Sequence, residues 1–422
     1  MEPGEQQNKK TPHARSRTPD VSAYRRTPRA RTGLLTQLCV RYDLVMVRFL
    51  HTADWQLGMT RHFLAGEAQA RFSEARIKAV ETIGKLAVEQ VCSFVVVCGD
   101  VFETNHVERQ VIVRAVDAMR KTPNVTFYLL PGNHDPLNAS SIFTSRTFTD
   151  RRPDNVVVLD GSSAVDVASG VRLIAAPWTS VEPLEDLVQR AISDAPQHDG
   201  ISIVVGHGVV DTLDPDPTNT AAICLADLET AIDAGSVHYV ALGDRHSTTS
   251  VGDTGKVHYS GAPVPTGYRE IDPGNVLIVE IDDDTVTVET HPVGTWTFHT
   301  LDFDLRSAND VDLLVSSLSD IENKRESIVQ LKLVGQLTLG NKIRLDSALE
   351  SEADLFASLN TWERHNNLVV LPDDEDFTQL GLSGFANDAL NELTTLAQGD
   401  DDEAHAAQDA LGLLYRLVES GS

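Results

Sequence analysis

The sequence predicts a layered α/β domain over residues 46–290, a smaller α+β unit over 291–371 and a helical segment over 372–422. Three observations carry that expectation. Strand-length apolar runs recur without alternation, amphipathic stretches separate them, and polar residues cluster where the runs end. The runs lie at 47–50, 94–97, 125–130, 155–159, 171–175, 201–205 and 239–242. A strand with one wet face alternates apolar and polar residues, so unbroken runs read as strands covered on both faces. Between the first two runs, Ile77, Val80, Ile83, Ala87 and Val91 recur at helical spacing and place a long helix over 67–90. A second helix follows over 107–120. Strands alternating with helices in this way build sheets flanked by helices.

Near His291–Trp296 the pattern changes. Residues 297–371 read as strand, helix (308–320), strand (327–334), helix (345–359) and strand (368–371). The acidic linker Pro372-Asp373-Asp374-Glu375-Asp376 then leads to two short helices. Leu390, Leu393 and Leu396 mark one; Leu411, Leu414, Leu417 and Val418 mark the other. At the opposite end, residues 1–45 are rich in Pro, Thr and Arg. They read as a disordered basic extension, or as sequence upstream of a start at Met46.

Composition excludes several classes. With 422 residues, 41% hydrophobic and 23% charged, the chain is neither wholly disordered nor collagen-like. Its net charge is −27, and residues 1–45 carry nine Lys/Arg against four Asp/Glu, so the remaining 377 residues sum to −32. Such a chain repels a polyanion, and any nucleic-acid role must rest on bound cations, a local patch or a partner. No apolar run approaches the ~18–20 residues a membrane-spanning helix needs. Cys39, Cys92, Cys98 and Cys224 form no Cys-x-x-Cys pair, which argues against a disulfide framework or structural zinc and fits a reducing cytoplasm.

The polar clusters hold the chemistry. The strand ends carry Asp54-Trp55-Gln56-Leu57-Gly58, Gly99-Asp100, Gly132-Asn133-His134-Asp135, Gly206-His207-Gly208 and Gly243-Asp244-Arg245-His246. Loops at the carboxyl ends of parallel strands converge on one crevice, so clusters far apart in sequence are expected to form one site. Asp, Asn, His and Gln without thiolate are ligands for Mn²⁺, Mg²⁺, Fe or Zn²⁺. Two such ions ~3.5–4 Å apart clamp the attacking and leaving oxygens of a phosphoryl transfer, which demands many ligands and a shared carboxylate. Singly, Asp54 or Asp100 would read as a helix cap or turn residue, and Asn133 as a turn residue. His51, one step inside its strand, reads as a packed histidine, while Arg61, Glu103 and Arg245 lie where they could reach substrate. The segment Gly252-Asp253-Thr254-Gly255-Lys256 lacks the spacing of a phosphate loop, and no Gly-x-Ser-x-Gly elbow occurs.

This ordered series resembles the calcineurin-like metallophosphoesterase superfamily. Within it, His51-Thr52-Ala53-Asp54, Gly99-Asp100-Val101-Phe102-Glu103 and Tyr259-Ser260-Gly261-Ala262-Pro263 are similar to SbcD-type nuclease subunits, over about 47–270. The resemblance implies a β-sandwich flanked by helices, with 291–371 as a capping domain. It implies two divalent ions, Mn²⁺ first and Mg²⁺ second, bridged by Asp100. Asp54, Gln56 and His246 would hold one; Asn133, His207 and Asp244 the other. His134 would act as general acid or stabilise charge on the phosphate. It also implies DNA as substrate, an SbcC-like ATPase docked by the C-terminal helices, a homodimer within a heterotetramer with 67–90 as a candidate contact, and a cytoplasmic location without membrane attachment. Gln56 and Asp244 depart from the family pattern, which has histidine at both positions. Gln56 is a weak neutral donor, whereas Asp244 is a competent anionic one. Two other readings stay open: a phosphodiesterase or phosphatase for nucleotides or small molecules, and a non-catalytic DNA-end scaffold with a weakened metal site.

Overall fold

A computed structural model describes residues 46–161, 164–283, 285–371 and 384–396, with 404, 406, 407, 410 and 411. The basic extension 1–45, the acidic linker and the stripe from Leu414 to Val418 lie outside the described residues.

The chain opens with β1 (Met46–Thr52), α1 (Glu67–Glu89), β2 (Phe94–Cys98), α2 (Arg109–Arg120) and β3 (Thr126–Leu130). A short turn α3 (Arg146–Thr149) leads to β4 (Val156–Val158), β5 (Val165–Ala168), β6 (Val171–Ala175), α4 (Leu187–Asp194) and β7 (Ile201–His207). Next come α5 (Leu225–Asp233), β8 (Tyr239–Gly243), β9 (Thr249–Val251), β10 (Val257–Tyr259), β11 (Asn275–Asp282) and β12 (Thr285–Pro292). The remainder is β13 (Thr297–Leu305), α6 (Ala308–Ser319), β14 (Ser327–Thr338), α7 (Leu339–Ala353), β15 (Ser358–Thr361), β16 (Asn367–Leu371) and α8 (Phe385–Leu396).

The first-domain strands form two six-stranded sheets, ordered β12-β11-β1-β2-β3-β4 and β5-β6-β7-β8-β10-β9. Within them β1 to β4 run parallel, as do β6, β7, β8 and β10, while β11, β12, β5 and β9 join antiparallel. The sheets face each other across a core of Phe49, Phe94, Val96, Ile203, Val205, Tyr239, Ala241 and Val279. Phe49 stacks on Phe94 at 5.2 Å and meets Tyr239 of the other sheet edge-on at 5.7 Å. On the outer face of the first sheet, Leu50, Val95, Val97 and Leu129 pack against Ile77, Val80 and Ile83 of α1 and Ile112 and Met119 of α2. On the outer face of the second, Val204, Val240 and Leu242 pack against Val188 of α4 and Leu228 and Ile232 of α5. The order helix–sheet–sheet–helix explains why the central strands read as unbroken apolar runs.

The third sheet, β13-β14 with β15 and β16 sharing the far edge of β14, is parallel throughout. Its core combines Leu305, Val329, Leu331 and Leu333 with Val311, Leu314 and Leu318 of α6 and Leu345 of α7. A Ser307–Asp310 capping box starts α6. A separate apolar cluster, with Phe72 edge-on to Trp296 at 4.9 Å and Ile328 nearby, fastens this sheet to α1.

Some boundaries differ from expectation for identifiable reasons. The helix expected over 345–359 spans Leu339–Ala353, because β14 continues to Thr338, whose hydroxyl accepts from the Asn341 N–H and starts the helix there. Leu339 and Ile343 are exposed, so only Leu345 marks its buried face and apolar spacing misplaces the register. In α8, Leu390 is buried while Phe385 is 87% exposed.

Candidate metal centre

The polar clusters follow the carboxyl ends of β1, β2 and β3 in one sheet and of β7 and β8 in the other. They converge not in the crevice of one open sheet but where two sheets meet. That meeting is close. A Cβ on Gly99 would lie 2.0 Å from His207 Nδ1, and one on Gly243 would lie 1.8 Å from the Cys98 carbonyl oxygen. Hence glycine stands at both positions.

Four of the candidate ligands sit in left-handed backbone: Asp54 (φ 53°), Gln56 (φ 42°), Asp100 (φ 52°) and Asp244 (φ 96°). Such strain costs on the order of 1–3 kcal/mol per residue and persists only where surrounding bonds enforce it. Here the Asp54 N–H donates to Gly99 O and the Gln56 N–H to Asp100 O, while the Asp244 N–H donates to both Asp54 carboxylate oxygens at 3.1 Å. Buried Arg76 of α1 adds a clamp, donating to the Trp55 and Pro265 carbonyls. Asp135, fully buried, accepts from the Phe102 and Gly132 N–H groups and joins the second and third loops.

Asp54, Asp100 and His207 are buried and present ligand atoms within 4.8 Å of one another. His207 Nε2 lies 3.5 Å from Asp100 Oδ1, 3.8 Å from Asp244 Oδ1 and 2.7 Å from Asn133 Oδ1. Its Nδ1–H donates to the Cys98 carbonyl at 2.8 Å, which aims Nε2 into the pit. Gln56 and His246 meet at 3.2 Å between their Nε2 atoms. His246 Nδ1 lies 3.0 Å from Glu270 Oε1 and 2.7 Å from Thr266 Oγ1, so its ring orientation is fixed by a carboxylate. His134 stands at the mouth, its side chain 38% exposed and its Nε2 3.9 Å from Asp100 Oδ2. Its backbone N–H donates to Asp100 Oδ1 and its Nδ1–H to the Glu103 carbonyl. All eight candidate residues therefore belong to one connected cluster.

The electrostatics are those of a pit wanting positive charge. Burial raises the Asp54 carboxyl to about 7, with Asp100 and Asp244 adding to the rise and His246 and His207 opposing it. Burial pushes His207 down, but Asp100, Asp54 and Asp244 prevail and lift it to about 9. A protonated His207 donates from Nε2 to Asn133 Oδ1; the reversed amide would instead put its nitrogen 3.3 Å from both Asp100 oxygens. Burial lowers His246 too, yet its bond to Glu270 and the charge of Asp54 raise it overall.

The residues fit a divalent cation. Gln56 Oε1 is buried without a hydrogen-bond partner, an orphaned acceptor beside carboxylates and imidazoles. Each imidazole also has its outer nitrogen held by an acceptor, the arrangement that orients histidine ligands.

Sequence reasoning missed Glu270, Thr266, Asp135 and Arg76. Asp135 stands inside a recognised cluster, so its position was legible though its role was not. Glu270 is 24 residues from His246 in a loop without apolar framing, and nothing marked it. His51 is fully buried, bonded to the Tyr239 hydroxyl and the Leu242 carbonyl, beneath the site rather than in it.

Residues 47–247, which contain all eight candidates, match the family model described as Calcineurin-like phosphoesterase. That match takes in a little under half of the chain and marks residues 47–247 as similar to a calcineurin-like phosphoesterase domain. Within that class the chain resembles SbcD: 94 residues are 30% identical to the SbcD subunit of the SbcCD nuclease of Rhodobacter capsulatus, covering 21% of this chain. The matched part spans 22% of that relative's length. Among solved structures, a Thermus thermophilus protein aligns with TM-score 0.36 at 10% identity, over 59% of this chain and all of its own. A dimetal phosphatase from Danio rerio aligns with TM-score 0.37 at 11% identity, over 58% of this chain and 96% of its own. Among the described residues no helix is long and apolar enough to cross a membrane.

Proposed function

We propose that this chain is a metal-dependent DNA nuclease, hydrolysing phosphodiester bonds as the SbcD-like subunit of an assembly with an SbcC-like ATPase. The observation that carries the reading is the cluster around Asp100, whose carboxylate stands 3.5 Å from His207 Nε2 and within 4.8 Å of a ligand atom of Asp54. Local similarity to a nuclease subunit supports DNA as the substrate.

Asp54, Gln56 and His246 would hold one divalent ion and Asn133, His207 and Asp244 the other, with Asp100 shared; Mn²⁺ is the favoured metal and Mg²⁺ the second. A bound pair supplies the charge that activates water near neutral pH and steadies the phosphoryl oxygens. The chain's own residues do the rest. Cys98 and Glu270 hold the imidazoles of His207 and His246 with Nε2 facing inward. To serve as a ligand, His207 would give up the proton that the neighbouring carboxylates keep on it. His134, oriented by the Glu103 carbonyl, presents Nε2 to the mouth and gives its proton to the departing oxygen.

The exposed Phe385 of α8 supports docking of the C-terminal helices on the ATPase, and α1 is the candidate homodimer contact. The net charge of −27 favours a second reading, a small-molecule phosphodiesterase. The test is cleavage of end-labelled duplex and hairpin DNA with Mn²⁺ or Mg²⁺, with and without the ATPase, by wild type, Asp100→Ala and His134→Ala. Cleavage lost in Asp100→Ala and reduced about 10²–10⁴-fold in His134→Ala supports the nuclease. Equal cutting by all three contradicts the site; hydrolysis of a small diester without action on DNA supports the second reading.

A further inference from the structure

Beside the metal pit, between the loops after β8 and β10 and the third sheet, lies a cleft of about 930 Å³. Its lining departs from the rest of this acidic chain. Arg61, Arg245 and Arg269 contribute from the pit side and Lys332 from β14, while Tyr268 and Trp362 add aromatic surface. The carboxylates in the lining are Asp244 and Glu270, both engaged with the metal-pit histidines. Four cations thus converge next to the candidate reaction centre in a chain of net charge −27.

Arg61 donates to the Thr266 carbonyl, while the present bonds of the other three leave them available. Arg245 Nε donates to Thr249 Oγ1 at 2.9 Å, leaving its terminal nitrogens to the cleft. Lys332 pairs at 3.0 Å with Asp302, itself 66% exposed, a contact of the kind that costs little to exchange. Lys332 Nζ also stands 5.6 Å from the Trp362 ring centre. Arg269 is exposed and has no ion pair among the described residues. A cleft of this size exceeds what one phosphoryl group over the pit would fill and falls within the range that holds a nucleotide unit.

Resting on the nuclease reading, we infer that this cleft is a second phosphate subsite. Arg245, Arg269 and Lys332 hold the phosphodiester adjoining the scissile one, and the intervening base lies against Trp362. The substrate class is therefore an oligonucleotide strand with consecutive phosphates, led from the pit toward the third sheet. Cations clustered here supply locally what the overall field denies, and base stacking on an aromatic tolerates any sequence.

The test is binding of a short fluorescein-labelled phosphorothioate oligodeoxynucleotide to Mn²⁺-loaded protein, followed by anisotropy across a salt series. Arg269→Gln and Lys332→Gln should each weaken binding several-fold at low salt and lower the slope of log K against log salt by at most about 0.7, the single-strand value for the one phosphate they share with Arg245. Arg114→Gln, a cation on α2 away from the cleft, should change neither. Arg269→Gln alters an exposed side chain, so loss of fold does not cloud its outcome. Unchanged affinity and slope in both cleft variants, or an equal loss in Arg114→Gln, overturns the subsite. If wild type still cuts unmodified oligonucleotide while Asp100→Ala does not, the nuclease reading survives that failure. If wild type neither binds nor cuts the strand, the nuclease reading falls and the subsite with it.

Discussion

Glu270 gives the sharpest perturbation of the pit, because it touches a candidate ligand without being one. Its side chain is 9% exposed. The carboxylate accepts from the Thr266 N–H at 3.0 Å through both oxygens, from the Thr266 hydroxyl, and from His246 Nδ1–H at 3.0 Å. Glu270→Gln keeps the volume but removes the charge and turns one acceptor into a donor, so His246 loses its firmest orientation. Partners of this kind are worth 10–100-fold in metal affinity, or about 1.4–2.7 kcal/mol. Glu270→Ala goes further: the buried Thr266 N–H loses its acceptor, and His246 Nδ1–H keeps only the Thr266 hydroxyl. A buried donor left unpaired costs about 1–3 kcal/mol of stability. Calorimetric titration of metal-free protein with Mn²⁺ reads the first effect and urea unfolding the second. An affinity for Mn²⁺ unchanged in Glu270→Gln would refute the claim that His246 serves a metal through this carboxylate.

Three further outcomes follow from the same geometry. Gly99→Ala places a methyl 2.0 Å from His207 Nδ1 in backbone at φ +88°, so it should cost about 2–4 kcal/mol in urea unfolding and weaken Mn²⁺ binding; a wild-type midpoint contradicts the close approach. Burial holds His51 at about 3 against 6.5 in the unfolded chain, so its contribution is complete above pH 6.5 and erodes as pH falls toward 3, by up to ~1.4 kcal/mol per unit. The stability gap between wild type and His51→Gln should therefore narrow on acidification, and parallel profiles contradict it. Gln56→His should tighten the weaker metal site, whereas unchanged calorimetric affinity removes Gln56 from the ligand set.

The parts of the fold legible in sequence are those where burial and chemistry left separate marks. The strands of the sandwich core are apolar on both faces, and α1 keeps its spacing from Ile77 to Ala87. The ligand clusters stood out because charged residues at the end of an apolar run have no packing role. Legibility ended where a residue acts through another. Glu270 and Arg76 carry no motif, since a bond to His246 or to the Trp55 carbonyl depends on a fold bringing distant segments together. Periodicity alone does not divide the strands between two sheets, since parallel strands of both read alike; the family resemblance implied the sandwich, and pairing assigns β6 to β8 to its second layer. In α7 the exposed Leu339 and Ile343 mimic a core stripe, and the Thr338 cap rather than apolar spacing sets the start.

The central claim is that Asp100 is shared between two cations. Metal content of Mn²⁺-equilibrated, desalted protein, with folding checked by thermal unfolding, tests it most directly. Two ions per wild-type chain and loss of the pair in folded Asp100→Ala is the expected result. A folded Asp100→Ala chain that retains both ions at wild-type affinity would contradict the account.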